Sequence, residues 1–263
     1  EAKDKVSLVA YDSDGKVLSN DIFTATTAGT TTKFSGTYSN PVGAVAVSVL
    51  YPALTEGLGS SSNSWRCESG VIYGVELGDP YANVGPGLNY QKANADPAFL
   101  AKSVVMRGKI SDIPALVSSN VKATLKNTCY IVKATVTLPS TVSTVSEVRL
   151  VVLFPSSPST TSSLTVCGWT LVDDEFMIRY GGAATANYER IKTRLGGFAP
   201  ASDGTVTAWM IGYTADKFPI KSAETLTVSV DTDQGVISKV KTLASDSAVE
   251  SGKIYRLTVD MTK

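Results

Sequence analysis

Apolar residues recur at every second position along much of this chain, and no stretch shows the three-to-four-residue apolar spacing of a long helix. Tyr130, Val132, Ala134, Val136 and Leu138 define one face of a strand, and Val148, Leu150, Val152 and Phe154 define a face of another that Pro155 ends. Parallel α/β folds need crossovers of about a dozen residues or more, usually helical, so the pattern favours antiparallel sheets packed as sandwiches. Dense Ser and Thr, Val as their main apolar partner and frequent Gly/Pro punctuation fit short strands joined by turns. The expected fold class is all-β.

Val6–Tyr11 runs into Asp12-Ser13-Asp14-Gly15, where Asp14 and Gly15 are expected to supply the positive φ of a tight hairpin, and Lys16–Leu18 returns. Val45, Val47, Val49 and Tyr51 alternate up to Pro52. The Gly/Ser/Asn-rich stretch from Thr55 to Asn94 holds Trp65, Tyr73, Tyr81 and Tyr90 around weak strands such as Gly70–Leu77. Asp96-Pro97-Ala98-Phe99-Leu100 fits a capped helical turn, followed by an extended Ser103–Ile110. Ser156–Ser163 is a low-complexity solvated loop. Further strands fit Leu164–Val166, Trp169–Val172, Glu175–Arg179, Val206–Tyr213, Leu226–Val230 and Val236–Leu243, with Asp231–Gly235 as the loop of the last hairpin. Strand density rises after residue 120, which places a division near 122: a loop-rich domain over 1–122 and a strand-dense one over 123–263.

The chain finishes on a regular strand. Tyr255, Leu257, Val259 and Met261 share one face, and Arg256, Thr258 and Asp260 share the other. A terminal strand this regular requires a sheet to pair with, in its own chain or in a neighbour. If the four apolar residues are fully buried at about 1.5–3 kcal/mol each, the gross gain is roughly 6–12 kcal/mol before ordering costs.

Charge and chemistry narrow the function. The formal net charge is zero, from 24 basic and 24 acidic residues, which gives no general electrostatic pull towards nucleic acid or an anionic membrane. Histidine is absent, and with it the commonest general base and metal ligand. Cys67, Cys129 and Cys167 are odd in number and lack CxxC spacing, so reduced, inert thiols are expected. No run reaches the length of a transmembrane helix, and the start at Glu1-Ala2-Lys3-Asp4-Lys5, with no apolar leader, reads as a mature or trimmed chain.

Candidate sites are few. Asp231-x-Asp233-x-Gly235 resembles the opening of a calcium loop, but the required downstream glutamate is Thr242, so a turn is expected; Asp12-x-Asp14-Gly15 reads the same way. Asp173, Asp174 and Glu175 are adjacent carboxylates, which point to opposite faces of a strand rather than converging as glycosidase carboxylates do. Trp169 and Trp209 fit core packing, while Trp65, in a polar Ser-Asn-Ser-Trp-Arg context, is the candidate glycan-stacking aromatic. No cofactor, metal or enzymatic activity is expected.

Three places resemble the fimbrillin-like surface proteins of Bacteroidetes, a pilin and cell-adhesion family with two transthyretin-like β-sandwich domains in tandem. They are the ending Leu243–Val259, which looks like the family's Gly-Lys-x-Tyr-x-Leu closing strand; the preceding hairpin Thr225–Leu243; and Leu125–Thr137, which is similar to the strand opening the second domain. The resemblance implies a fimbrial subunit or cell-adhesion protein, placed at the cell surface as an outer-membrane lipoprotein or in an extracellular fimbrium. It implies assembly by β-strand pairing through Tyr255, Leu257, Val259 and Met261, with other pilus or surface-protein subunits as partners. The competing reading is a glycan-binding sandwich acting through Trp65. Some family members assemble after a protease removes an N-terminal strand next to an arginine; the first arginine here is Arg66.

Overall fold

The computed structural model describes residues 3–53, 65–68, 71–74, 90–100, 104, 106–118, 120–153, 168–170, 176–177, 188–213, 217–222 and 224–263. The protein is all-β apart from short helical pieces and divides into two compact units. The first comprises Glu1–Val75, Val104–Thr128 and Cys167–Met177; the second comprises Glu76–Ser103, Cys129–Val166 and Ile178–Lys263.

The first unit is built on a six-stranded antiparallel sheet. Its strands are β1 (Lys5–Tyr11), β2 (Val17–Ala25), β3 (Phe34–Ser35), β4 (Ala46–Tyr51), β8 (Met106–Ile110) and β9 (Lys126–Asn127), in the order β3-β2-β1-β4-β8-β9. Val6, Leu8 and Ala10 of β1 join Val47, Val49 and Ile110 in one core. The alternate residues Ser7, Val9 and Tyr11 are buried too, so the alternation expected around Val45–Tyr51 becomes a strand covered on both faces, as Ala46, Ser48 and Leu50 also show.

At the β1–β2 hairpin, Gly15 alone takes a positive φ, of 80°. Asp14 does not, because the Asp12 carboxylate does the shaping: its Oδ1 accepts the Asp14 and Lys16 N–H groups at 3.0 and 2.9 Å. The returning strand runs on to Ala25, well past the expected Leu18. Helix α1 (Ile113–Ser118) was not foreseen. Asp112 caps it, accepting the Ala115 N–H at 2.9 Å, and Ile113 and Leu116 pack on the core. A smaller sheet joins β5 (Trp65–Glu68), β6 (Val71–Gly74), β12 (Gly168–Thr170) and β13 (Phe176–Met177) in the order β13-β12-β6-β5.

The second unit faces two sheets across one core. One holds β15 (Thr205–Tyr213), β10 (Cys129–Thr137) and β20 (Ile254–Asp260), in the order β15-β10-β20. The other holds β18 (Gly235–Thr242), β17 (Thr225–Thr232), β11 (Val145–Leu153), β14 (Tyr188–Phe198) and β7 (Tyr90–Gln91), in the order β18-β17-β11-β14-β7. Val132, Ala134 and Val136 of β10 and Val206, Ala208 and Met210 of β15 meet Val148, Leu150 and Val152 of β11 and Val228 and Val230 of β17 in a single buried cluster. The period-two pattern of these strands therefore marks the inward faces of a sandwich-like pair. A short ladder joins β16 (Lys217–Ile220) to β19 (Ser247–Glu250).

Two pairings depart from the antiparallel expectation: β20 runs parallel to β10, and β7 runs parallel to β14. No crossover helix is needed, because each pair joins strands separated by about a hundred residues of intervening chain that itself forms sheet. Trp209 also departs from its expected place in the core. It alternates out of phase with Val206, Ala208 and Met210 and lies half-buried on the opposite face of β15. There its indole N–H donates to the Ala95 carbonyl at 3.1 Å, and Lys133 Nζ stands 5.2 Å from its ring centroid. The strand at Leu164–Val166 and the loop at Ser156–Ser163 lie outside the described residues.

Candidate assembly strand and neighbouring sites

The terminal strand β20 docks in register on β10, with Val132 beside Tyr255, Ala134 beside Leu257 and Val136 beside Val259. The ladder continues at both ends, since Ile131 N–H donates to the Lys253 carbonyl at 2.9 Å and Met261 N–H donates to the Thr137 carbonyl at 2.8 Å. Val259 and Met261 are buried at 8 % and 6 % exposure, whereas Tyr255 and Leu257 are half-buried and pack on the margin of the same core. Full burial of all four is therefore not reached, and the gross gain falls towards the lower end of the roughly 6–12 kcal/mol range. The Tyr255 hydroxyl accepts the Glu250 N–H at 2.9 Å, tying the strand to the segment before it. Gly252, at φ 75°, turns the chain between the two and donates its N–H to the Cys129 carbonyl at 2.7 Å.

The opposite edge of β20 faces away from β10. Met261 N–H and the Lys253 carbonyl point to β10, so by strand alternation the peptide groups of Ile254, Arg256, Thr258 and Asp260 point outward. The Asp260 carbonyl does so visibly, accepting Lys239 Nζ of β18 at 2.8 Å. Among the described residues no strand pairs with this edge, and Ile254 at its start is 58 % exposed. Beyond Lys239, β18 is likewise the outermost strand of its sheet and exposes Val236 and Val240. On the opposite side of the unit, β7 pairs with β14 at Arg194 and Leu195, and residues 91–95 bond to β15.

The acidic turns are occupied by backbone. Asp233 Oδ1 accepts the Ser143 and Thr144 N–H groups at 3.0 and 3.1 Å, and the Thr144 N–H is the main cause holding its carboxyl below the ordinary range. Asp231 pairs with Arg149, which also meets Glu147 at 3.3 Å, and Lys192 completes the row on Glu147 at 3.2 Å. Among the described residues, no three His, Cys, Asp or Glu side chains gather as a metal site. Cys129 is buried in β10. The side chains of Trp65, Cys67 and Trp169, and all of Cys167 and Asp173–Glu175, lie outside the described residues. Among the described residues, no helix is long and apolar enough to cross a membrane.

No family model and no curated protein matches the chain. Solved structures do. A candidate cell adhesion protein from Bacteroides uniformis aligns over 99 % of this chain and 88 % of its own, with 13 % identity and a TM-score of 0.49. One from Bacteroides ovatus aligns over 98 % and 82 %, with 12 % identity and a TM-score of 0.47. The fimbrial anchor protein Mfa2 from Porphyromonas gingivalis aligns over 92 % and 75 %, with 11 % identity and a TM-score of 0.38. The chain is similar to these proteins along nearly its whole length. At such identities and TM-scores the likeness assigns no residue a role.

Proposed function

We propose that this protein is a fimbrial subunit or cell-adhesion protein of a bacterial surface, which assembles or docks by β-strand pairing and performs no catalysis. The supporting observation is β20, a strand held on one side by β10 and presenting the peptide groups of Ile254, Arg256 and Thr258 on the other. An exposed row of N–H and C=O groups is what an incoming strand needs, and alternate side chains set its register. The closing pattern Gly252-Lys253-Ile254-Tyr255-Arg256-Leu257, which looks like that of fimbrillin-like proteins, supports the same reading. The similar solved structures are themselves described as cell adhesion proteins and a fimbrial anchor.

We further propose that the two units are transthyretin-like sandwich domains, that the protein is an outer-membrane lipoprotein or part of an extracellular fimbrium, and that other pilus or surface-protein subunits are its partners. The test is Thr258→Pro. The Thr258 N–H points away from β10, so proline there removes an outward donor while leaving the β10 ladder intact. Cross-linking of the parent at its surface, or in concentrated solution, should give a ladder of subunits that Thr258→Pro abolishes with little change in melting temperature. A ladder undiminished in the variant would refute pairing at this edge.

A further inference from the structure

The edge of β15 is closed by side chains that act as a strand. Gln91, at 1 % exposure, donates its Nε2 to the Thr207 carbonyl at 2.7 Å and accepts the Trp209 N–H on Oε1 at 3.0 Å. Asn94 accepts the Thr207 N–H on Oδ1 at 2.7 Å and donates Nδ2 to the Thr205 carbonyl at 3.0 Å. The Ala95 backbone adds both of its groups, its N–H to the Thr207 carbonyl at 3.1 Å and its carbonyl to the Trp209 indole. A carboxamide carries the same donor and acceptor as a peptide unit, so two side chains do here what the backbone of a neighbouring strand would do. Gln91 also donates to the Ala93 carbonyl at 2.8 Å, which folds the segment on itself.

We infer that residues 91–95 are an edge guard that occupies β15 and blocks strand addition there, so that pairing is confined to the side of the unit carrying β20. The inference rests on the strand-pairing reading above. A strand guarded in this way is already competent to receive a partner, since the peptide groups at Thr205, Thr207 and Trp209 lie outward and in line. Removing the amides exposes that edge without touching the core face of Val206, Ala208 and Met210.

The test is hydrogen exchange and sedimentation of Gln91→Leu/Asn94→Leu in the full chain. The milder Asn94→Ala removes the acceptor for the Thr207 N–H and leaves Gln91 on the Trp209 N–H. Strand alternation supplies an internal control, because the Val206, Ala208 and Met210 amides face β10. The expected result is exchange about tenfold faster at Thr207 and Trp209, with the control amides unchanged, together with concentration-dependent association stronger than the parent's. Adding Thr258→Pro should not suppress this association, so a failure of pairing at β20 and a failure of the guard remain separable. Unchanged protection at Thr207 and Trp209, or faster exchange without association, overturns the inference. If the double variant also loses protection at the control amides, Asn94→Ala decides, by exchange at Thr207 and by association.

Discussion

The Tyr255 ring meets the Tyr130 ring edge-on, with centroids 6.3 Å apart and planes at 82°. The contact joins the terminal strand to β10, and the Tyr255 hydroxyl extends it to Glu250. Tyr255→Phe should cost about 1 kcal/mol through the lost hydrogen bond, and Tyr255→Ala about 1 kcal/mol or more beyond that through the ring contact and buried area. Urea melts of the two variants separate these contributions. Equal midpoints would place the ring outside the stabilising core.

The two faces of β20 should respond oppositely to charge. Val259 is buried against the sandwich core while Arg256 is exposed. Val259→Asp should destabilise by roughly 3 kcal/mol or more, because it leaves an unpaired charge in the core, whereas Arg256→Asp should stay within about 0.5 kcal/mol. Leu257→Asp, at a half-buried position, should fall between them. Thermal or chemical melts that rank the three differently would contradict the observed docking.

Gly212 stands opposite Tyr130 in the β10–β15 register, and a Cβ there would lie 2.3 Å from the tyrosine ring. The ring is fully buried in a close-packed interior. Gly212→Ala should therefore cost about 1–3 kcal/mol by overpacking, and Gly212→Ala/Tyr130→Leu should recover part of it. Additive losses in the double-mutant cycle would show that the two positions do not compete for the same volume.

Asp246 accepts the Ser222 N–H and hydroxyl at 2.9 and 3.1 Å and pairs with Lys221 at 2.9 Å. The Ser222 backbone N–H first, then Lys221, holds its carboxyl at about 2 against an ordinary 3.8. A carboxyl lowered on folding contributes stability that is present above its unfolded pKa and is lost as pH falls from near 3.8 through about 2. An NMR titration should place the Asp246 midpoint near 2 in the parent and higher in Lys221→Met. A parent midpoint near 3.8 would remove the link between the Ser222 turn and the segment before β19.

The strands most legible in the sequence are those whose inward positions are uniformly apolar. Val132, Ala134 and Val136, and Val148, Leu150 and Val152, announce β10 and β11 directly. The long β14 was missed because buried Thr193 interrupts Ile191 and Leu195, and Lys192 and Arg194 give the segment a charged look. Strand pairing was less legible than strand existence: nothing local tells Ile254–Asp260 to choose β10, or to lie parallel to it, because that choice depends on chain more than a hundred residues away. The guard on β15 was hidden for a different reason. Gln91 and Asn94 read as polar loop residues, and their role exists only once Thr205–Trp209 lies beside them.

The most direct measurement removes residues 252–263 and restores them as a separate peptide. Without β20, the β10 edge loses its partner and Val259 and Met261 leave the core. The truncated protein should melt lower and associate with itself, and the peptide Gly252–Lys263 added in trans should raise the melting temperature and return the protein to monomer. A truncated protein that stays monomeric, melts like the parent and ignores the peptide would contradict strand pairing as the basis of assembly.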